Sequence, residues 1–139
     1  IFFFFFLAKK KDIHLVFESP LKEIIFDFDE NYLGEVISNL LTNAIKFSDK
    51  NAEIHIKVSL TKDKYLKTEV IDFGKGIHES EHYKLFNYFQ KTTTQPTAGE
   101  QSTGLGLAIS KKIITEHKGI IDFTSELNKG SNFYFELSN

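Results

Sequence analysis

A two-layer α/β sandwich, with a mixed and mostly antiparallel sheet carrying about three helices on one face, is the fold class this sequence predicts. Three observations predict it. Apolar residues alternate with polar ones in several short runs, a long apolar stripe at helical spacing separates the first runs from the later ones, and no segment repeats. With 139 residues, 41% hydrophobic and 26% charged, the chain has material for one core and one domain.

The elements follow in order. Residues 1–7 contain five consecutive phenylalanines but fall far short of the roughly 20 apolar residues of a membrane-spanning helix. Residues 1–10 are expected to be the stub of an upstream helix or linker, or an expression remnant, ahead of a domain over 11–139. Ile13, Leu15 and Phe17 alternate with polar or outward positions, as do Ile24, Phe26 and Phe28, predicting two short strands around a turn at Ser19 and Pro20. From Leu33 the spacing becomes helical, through Val36, Ile37, Leu40, Leu41, Ala44 and Ile45, and predicts a helix over about 30–47.

Ile54, Ile56, Val58 and Leu60 then alternate with Glu53, His55, Lys57 and Ser59, and a partner run over 66–71 completes a hairpin. A short helical stretch is expected over about 79–89. Residues 92–102, rich in threonine, glycine and proline, predict a mobile loop. Leu105, Ile109 and Ile113 place a last helix over about 105–117, ending at Gly119, and two strands over 120–125 and 133–137 close the domain through Asn128, Lys129 and Gly130.

Composition excludes several functions. The net charge is -2, with 17 basic and 19 acidic residues dispersed along the chain and no basic block beyond Lys9, Lys10 and Lys11, so nucleic-acid binding has no support. The absence of cysteine excludes disulfides and thiolate zinc sites. Nothing argues for an oxidising compartment, and the cytoplasm is the default. Every basic residue is lysine, so a bound phosphate must be met by ammonium groups and backbone N–H donors, without guanidinium forks.

Three motifs carry chemistry. Glu35, Asn39, Asn43 and Lys46 share one face of the 30–47 helix beside its apolar stripe. Such a face is often merely solvated, but two asparagines a turn apart with a following lysine also suit Mg²⁺ and phosphate. After the hairpin comes Asp72-Phe73-Gly74-Lys75-Gly76-Ile77, either an ordinary aspartate-glycine turn or a carboxylate placed to accept from an amino group on a flat ligand. Ser102-Thr103-Gly104-Leu105-Gly106-Leu107 opens the last helix, where free N–H groups and the dipole make an anion site. Each motif alone is weak.

Their order in one small domain resembles the Bergerat-fold ATPases, the superfamily of gyrase, the ninety-kilodalton chaperone, mismatch-repair and histidine kinase proteins, over nearly the whole chain. Within it the sequence is most similar to the ATP-binding catalytic domain of sensor histidine kinases, through Asn39-Leu40-Leu41-Thr42-Asn43-Ala44-Ile45-Lys46-Phe47-Ser48. That resemblance implies ATP and Mg²⁺ as ligands, and transfer of the γ-phosphoryl group to a histidine on a separate dimerisation domain in two-component signalling. It makes Asn43 the Mg²⁺ ligand, Lys46 a phosphate contact, and Asn39 a partner of phosphate or metal-bound water. Asp72 would take the adenine amino group, with Gly76 and Ile77 beside the base. Gly104 and Gly106 would let the lid close over the phosphates, and Phe47, Gly74, Thr103, Leu105 and Leu107 complete the expected nucleotide-binding set.

The same resemblance makes Leu85-Phe86-Asn87-Tyr88-Phe89 the aromatic box and 78–102 the lid. Ser102 stands where the family usually has glycine, and Gln90 and Lys91 where an aromatic and an arginine are common, so Lys91 becomes the candidate lid cation. Asn39, Lys46 and Lys91 are thus the expected catalytic set. The hydrolytic branches usually carry glutamate at the position of Asn39, and asparagine cannot act as a general base. None of His14, His55, His78, His82 and His117 has a phosphoacceptor context, which puts the acceptor on other helices, expected upstream in the same parent. A response-regulator receiver domain is the implied downstream partner. The isolated domain is expected to be monomeric, and the parent a homodimer with an inner-membrane anchor a candidate.

Two rivals remain at this level. An ATP-binding or anti-sigma-like serine kinase module of the same fold shares these residues. His78-Glu79-Ser80-Glu81-His82 is also a literal H-E-x-x-H zinc peptidase motif, but it starts two residues after Gly76 and lacks an evident third ligand beyond His117 or Glu116.

Overall fold

The computed structural model describes residues 2–138; Ile1, the first residue of the predicted stub, and Asn139 lie outside the described residues. Helix α1 (Phe2–Lys10), strand β1 (His14–Glu18), helix α2 (Glu30–Phe47) and strands β2 (Glu53–Leu60) and β3 (Leu66–Asp72) come first. A 3₁₀ turn (Glu79–Lys84), helix α3 (Gly106–Glu116) and strands β4 (Ile120–Glu126) and β5 (Gly130–Leu137) complete the fold. The strands form one sheet in the order β1-β2-β3-β5-β4, in which β1 runs parallel to β2 and every other pair is antiparallel.

Asp29 starts α2 by accepting from the N–H groups of Asn31 and Tyr32 at 2.9 and 3.3 Å, which satisfies two donors of the first turn. The predicted stripe is the buried one: Val36, Leu40, Leu41, Ala44 and Ile45 face the core. They meet Ile54, Val70, Phe133, Phe135 and Leu137 from the sheet and Ile113 and Ile114 from α3. Each fully buried large side chain here stabilises the fold by about 1.5–3 kcal/mol, so α2 is held as a rigid wall. The opposite sheet face is polar, with Lys67 over the Tyr134 ring at 4.2 Å and 3.6 Å from Glu136. One buried and one wet face explains the period-2 pattern.

Two expectations need correction. Residues 24–28 form no strand. Phe26 and Phe28 pack against the core while Ile25 is 85% exposed, and the Phe28 ring lies tilted against His117 at the end of α3, ring centroids 4.3 Å apart. Their alternation records burial of an irregular segment. At the end of α3 the left-handed residue is Lys118 (φ 57°) and not Gly119; Gly119 is required because a Cβ there would lie 2.6 Å from the Glu136 carbonyl oxygen. The residues expected to be the stub of an upstream helix or linker form α1, whose Ala8 is 2% exposed in the core cluster. Among the described residues no helix is long and apolar enough to cross a membrane.

Candidate functional site

A cavity of about 350 Å³ opens between α2, the ends of β3 and β5, and the start of α3, within the usual size range of small-ligand sites. Asn39, Asn43, Lys46 and Phe47 line it from α2, and Asp72, Gly76 and Ile77 from the chain after β3. Lys91, Thr103, Gly104, Gly106 and Leu107 line it from the segment leading into α3. The three motifs, far apart in sequence, therefore meet in one place. Glu35 is exposed and does not reach the cavity.

Asp72 is 5% exposed. Burial pushes its carboxyl up to about 6, against the opposing effect of hydrogen bonds from the Gly74 and Ser131 backbone. The Gly74 N–H donates to Asp72 Oδ1 at 2.9 Å. Gly74 does not line the cavity; it lets the chain pass α2, where a Cβ would stand 2.1 Å from the Phe47 carbonyl oxygen. Gly76 has φ 64° and would place a Cβ 2.0 Å from the Glu126 carbonyl oxygen. Ser125, on β4, fixes the same turn by accepting from the Ile77 N–H at 2.9 Å.

Two lysines line the same cavity. Burial holds Lys46 below the ordinary lysine pKa, Glu100 opposes that, and the nearby charge of Lys91 adds to it. Two ammonium groups close enough to repel suit an anion of high charge. The N-terminus of α3 points the same way: its N-cap Leu105 makes no side-chain capping bond, so the first-turn N–H groups of this eleven-residue helix stay available. Leu105 itself does not line the cavity; its carbonyl accepts from Ile109 at 3.0 Å. Asn39 ties the two helices together, donating to the Gly106 carbonyl and Ser110 Oγ, both at 3.1 Å.

The segment over 92–102 has no regular structure, as expected, but it is docked. The strip from 79 to 89 does not belong to it: Glu79–Lys84 is a 3₁₀ turn, and the neck closes where Phe89 N–H donates to Gly104 carbonyl at 3.0 Å, both residues having positive φ. The expected lid over 78–102 spans this 3₁₀ turn and the docked segment after it. Glu81, buried at its base, accepts from the Thr93 amide and hydroxyl at 2.9 and 2.8 Å. Those bonds and Lys84 hold its carboxylate down to about 2. Lys75 Nζ donates to the Gln95 carbonyl at 2.9 Å, and the Thr97 amide to the Lys46 carbonyl at 3.0 Å. Sequence reasoning missed Glu81 and Glu100, since a polar loop gives no periodic signal for its anchors.

The zinc peptidase reading fails on this geometry. His78 caps the 3₁₀ turn through Ser80, His82 Nε2 donates to the Ile77 carbonyl at 3.0 Å, and the His82 ring packs edge-on against Phe123. Among the described residues no group of three or more His, Cys, Asp or Glu could hold a metal.

A family model described as histidine kinase-, DNA gyrase B-, and HSP90-like ATPase matches residues 28–139. The sensor protein SrrB of Staphylococcus aureus is 36% identical over 119 residues, covering 84% of this chain and 20% of SrrB. The chain thus spans one fifth of the length of the curated relatives it matches. The solved nucleotide-free catalytic domain of the histidine kinase ThkA shares 31% identity and a TM-score of 0.83, over 98% of this chain and 85% of that one. ThkA has also been solved in complex with the response regulator protein TrrA. Full-length ShkA in complex with AMPPNP matches 94% of this chain and 26% of its own, with 26% identity and a TM-score of 0.79.

Proposed function

The chain belongs to the histidine kinase-, DNA gyrase B- and HSP90-like ATPases as the ATP-binding catalytic domain of a sensor histidine kinase, and from that premise we propose that it binds Mg²⁺-ATP and donates the γ-phosphoryl group to a histidine on separate phosphoacceptor helices. The observation that carries the proposal is the make-up of the cavity: one buried carboxylate, Asp72, lines it together with Lys46, Lys91 and the first residues of α3. This combination suits a ligand that bears both an amino group and a polyphosphate.

Mg²⁺, held by Asn43, would neutralise charge on the phosphates as the P–O bond to the leaving ADP breaks and the P–N bond to imidazole forms. The chain's own residues supply position and field. Lys46 and Lys91 attract the phosphates, and the α3 amides cradle them. Asn39 holds Gly106 in place and offers no base for water. None of the five histidines lines the cavity, so the acceptor comes from elsewhere. A dimeric parent on the cytoplasmic side and a receiver domain as next acceptor complete the proposal, the latter supported by the ThkA–TrrA complex.

Calorimetry with ATP and GTP tests it. ATP should bind and GTP should bind at least about tenfold more weakly, because guanine presents a carbonyl where Asp72 needs a donor; equal affinities would refute the adenine assignment. Asp72→Asn should cost about 1.5–3 kcal/mol of ATP affinity, the value of a hydrogen bond to a charged group.

Adenine binding should also depend on pH with a defined sign. The acceptor is the ionised carboxylate, and its pKa is raised to about 6. Affinity for adenosine, which has no phosphate titrating in this window, should be level above about pH 7 and fall up to tenfold per unit below about 6. A flat profile between pH 5 and 7.5 would show that Asp72 does not read the base.

A further inference from the structure

Lys11 lies in the turn between α1 and β1, and its side chain is 12% exposed. Its backbone is fixed from both sides. The Lys11 N–H donates to the Ala8 carbonyl at 3.1 Å, and its carbonyl accepts from Asn51 at 3.2 Å. Ala8 is seated in the core at 2% exposure. From that base the ammonium reaches two other elements at once. It donates to the carbonyl oxygens of Ile45, Lys46 and Ser48 at 2.8, 3.2 and 3.2 Å, the acceptors left open where α2 ends. It also donates to Thr97 Oγ1 at 2.6 Å and pairs with Glu100, both in the lid.

A lysine that merely capped α2 would need no lid partners. Five oxygen neighbours share the three donors of one ammonium, so the helix end, the lid and the base of α1 compete for and converge on the same charge. Thr97 reinforces the junction, its hydroxyl donating to the Ser48 carbonyl at 2.7 Å. Glu100 lines the cavity and acts on Lys46, so where Lys11 holds Glu100 also sets the field met by the phosphates.

We propose that Lys11 is a positioning residue that latches the lid to the end of α2, so that the seating of α1 determines how firmly the lid stays over Lys46. A shift of α1 against α2 draws the ammonium out of the junction, leaves Glu100 without its partner and frees the lid. The latch belongs to the unliganded chain, and only its consequence for phosphoryl transfer rests on the nucleotide reading above.

Hydrogen exchange without nucleotide, read over 92–102 and over β3 and β5 as an internal control, tests it. Lys11→Met and Glu100→Gln should each speed lid exchange about 5- to 30-fold with the sheet amides unchanged. The double variant should exchange no faster than Lys11→Met, because both changes break the same interaction. Unchanged lid exchange in Lys11→Met, or lid effects of the two single variants that multiply in the double, would overturn the latch. If Lys11→Met also loosens the sheet, Glu100→Gln decides, since it leaves the helix-capping bonds intact: faster lid exchange supports the latch and unchanged exchange overturns it. Calorimetry of the wild-type chain with ATP runs alongside; failure there refutes the nucleotide reading, while the exchange result still decides the latch.

Discussion

Asn43→Ala should lower phosphoryl transfer by about 100-fold or more, the scale set by removing one preorganised contact to charge that develops in the transition state, while the thermal melt stays where it was. Asn43 sits on the cavity wall of α2 and outside the buried stripe. Alanine is the better helix former by up to ~0.7 kcal/mol, so any change in stability should be small and upward. A fall in melting temperature parallel to the loss of activity would make Asn43 structural and end its assignment to Mg²⁺. Lys46→Ala supplies the companion measurement. It should weaken ATP binding much more than adenosine binding, because its proposed contact is phosphate.

Gly76→Ala should be the most destabilising single change in the site. The residue has φ 64°, which costs an L side chain about 1–2 kcal/mol, and the new Cβ would lie 2.0 Å from the Glu126 carbonyl oxygen and 3.2 Å from Leu127 Cα. Neither neighbour is a flexible side-chain tip. The turn after β3 must move off the β4–β5 connection, and with it Ile77. A loss above about 3 kcal/mol by denaturant titration is expected, in the range reserved for backbone strain with steric overlap, together with loss of nucleotide binding. Gly99 provides the contrast: it too has positive φ, 71°, but nothing lies within 4 Å of its Cβ position, so Gly99→Ala should cost only the backbone strain.

Regular periods made most of the frame legible. The α2 stripe and the β2–β3 alternation each had one buried face, and a pattern of 3.6 or 2 follows directly from that. Much of the cavity lining was legible because asparagine-asparagine-lysine on a helix, D-x-G-x-G after a strand and G-x-G at a helix start are local. Gly74 and Leu105 show the limit of such motifs, since both belong to the right turns but serve the backbone and do not face the cavity. The failure at Phe26 and Phe28 has another cause: alternation reports which side chains are buried, not whether the backbone finds a pairing partner. The lid's anchors were invisible because they join distant residues. Lys11 and Thr97 are 86 positions apart, and no local spacing encodes such a contact.

Transfer to a supplied acceptor is the most direct test of the central claim, that this cavity orients Mg²⁺-ATP for donation to an external histidine. The full chain should be incubated with γ-labelled ATP, Mg²⁺ and a dimeric helical domain carrying a phosphoacceptor histidine. The expected result is acid-labile, base-stable label on that partner and none on the chain itself, at a low rate because separate molecules lack the effective concentration a linker provides. Label should be absent when the partner's histidine is replaced. Robust ATP hydrolysis by the chain alone, with no label on any histidine partner, would contradict the account and assign the cavity to a hydrolytic member of the family.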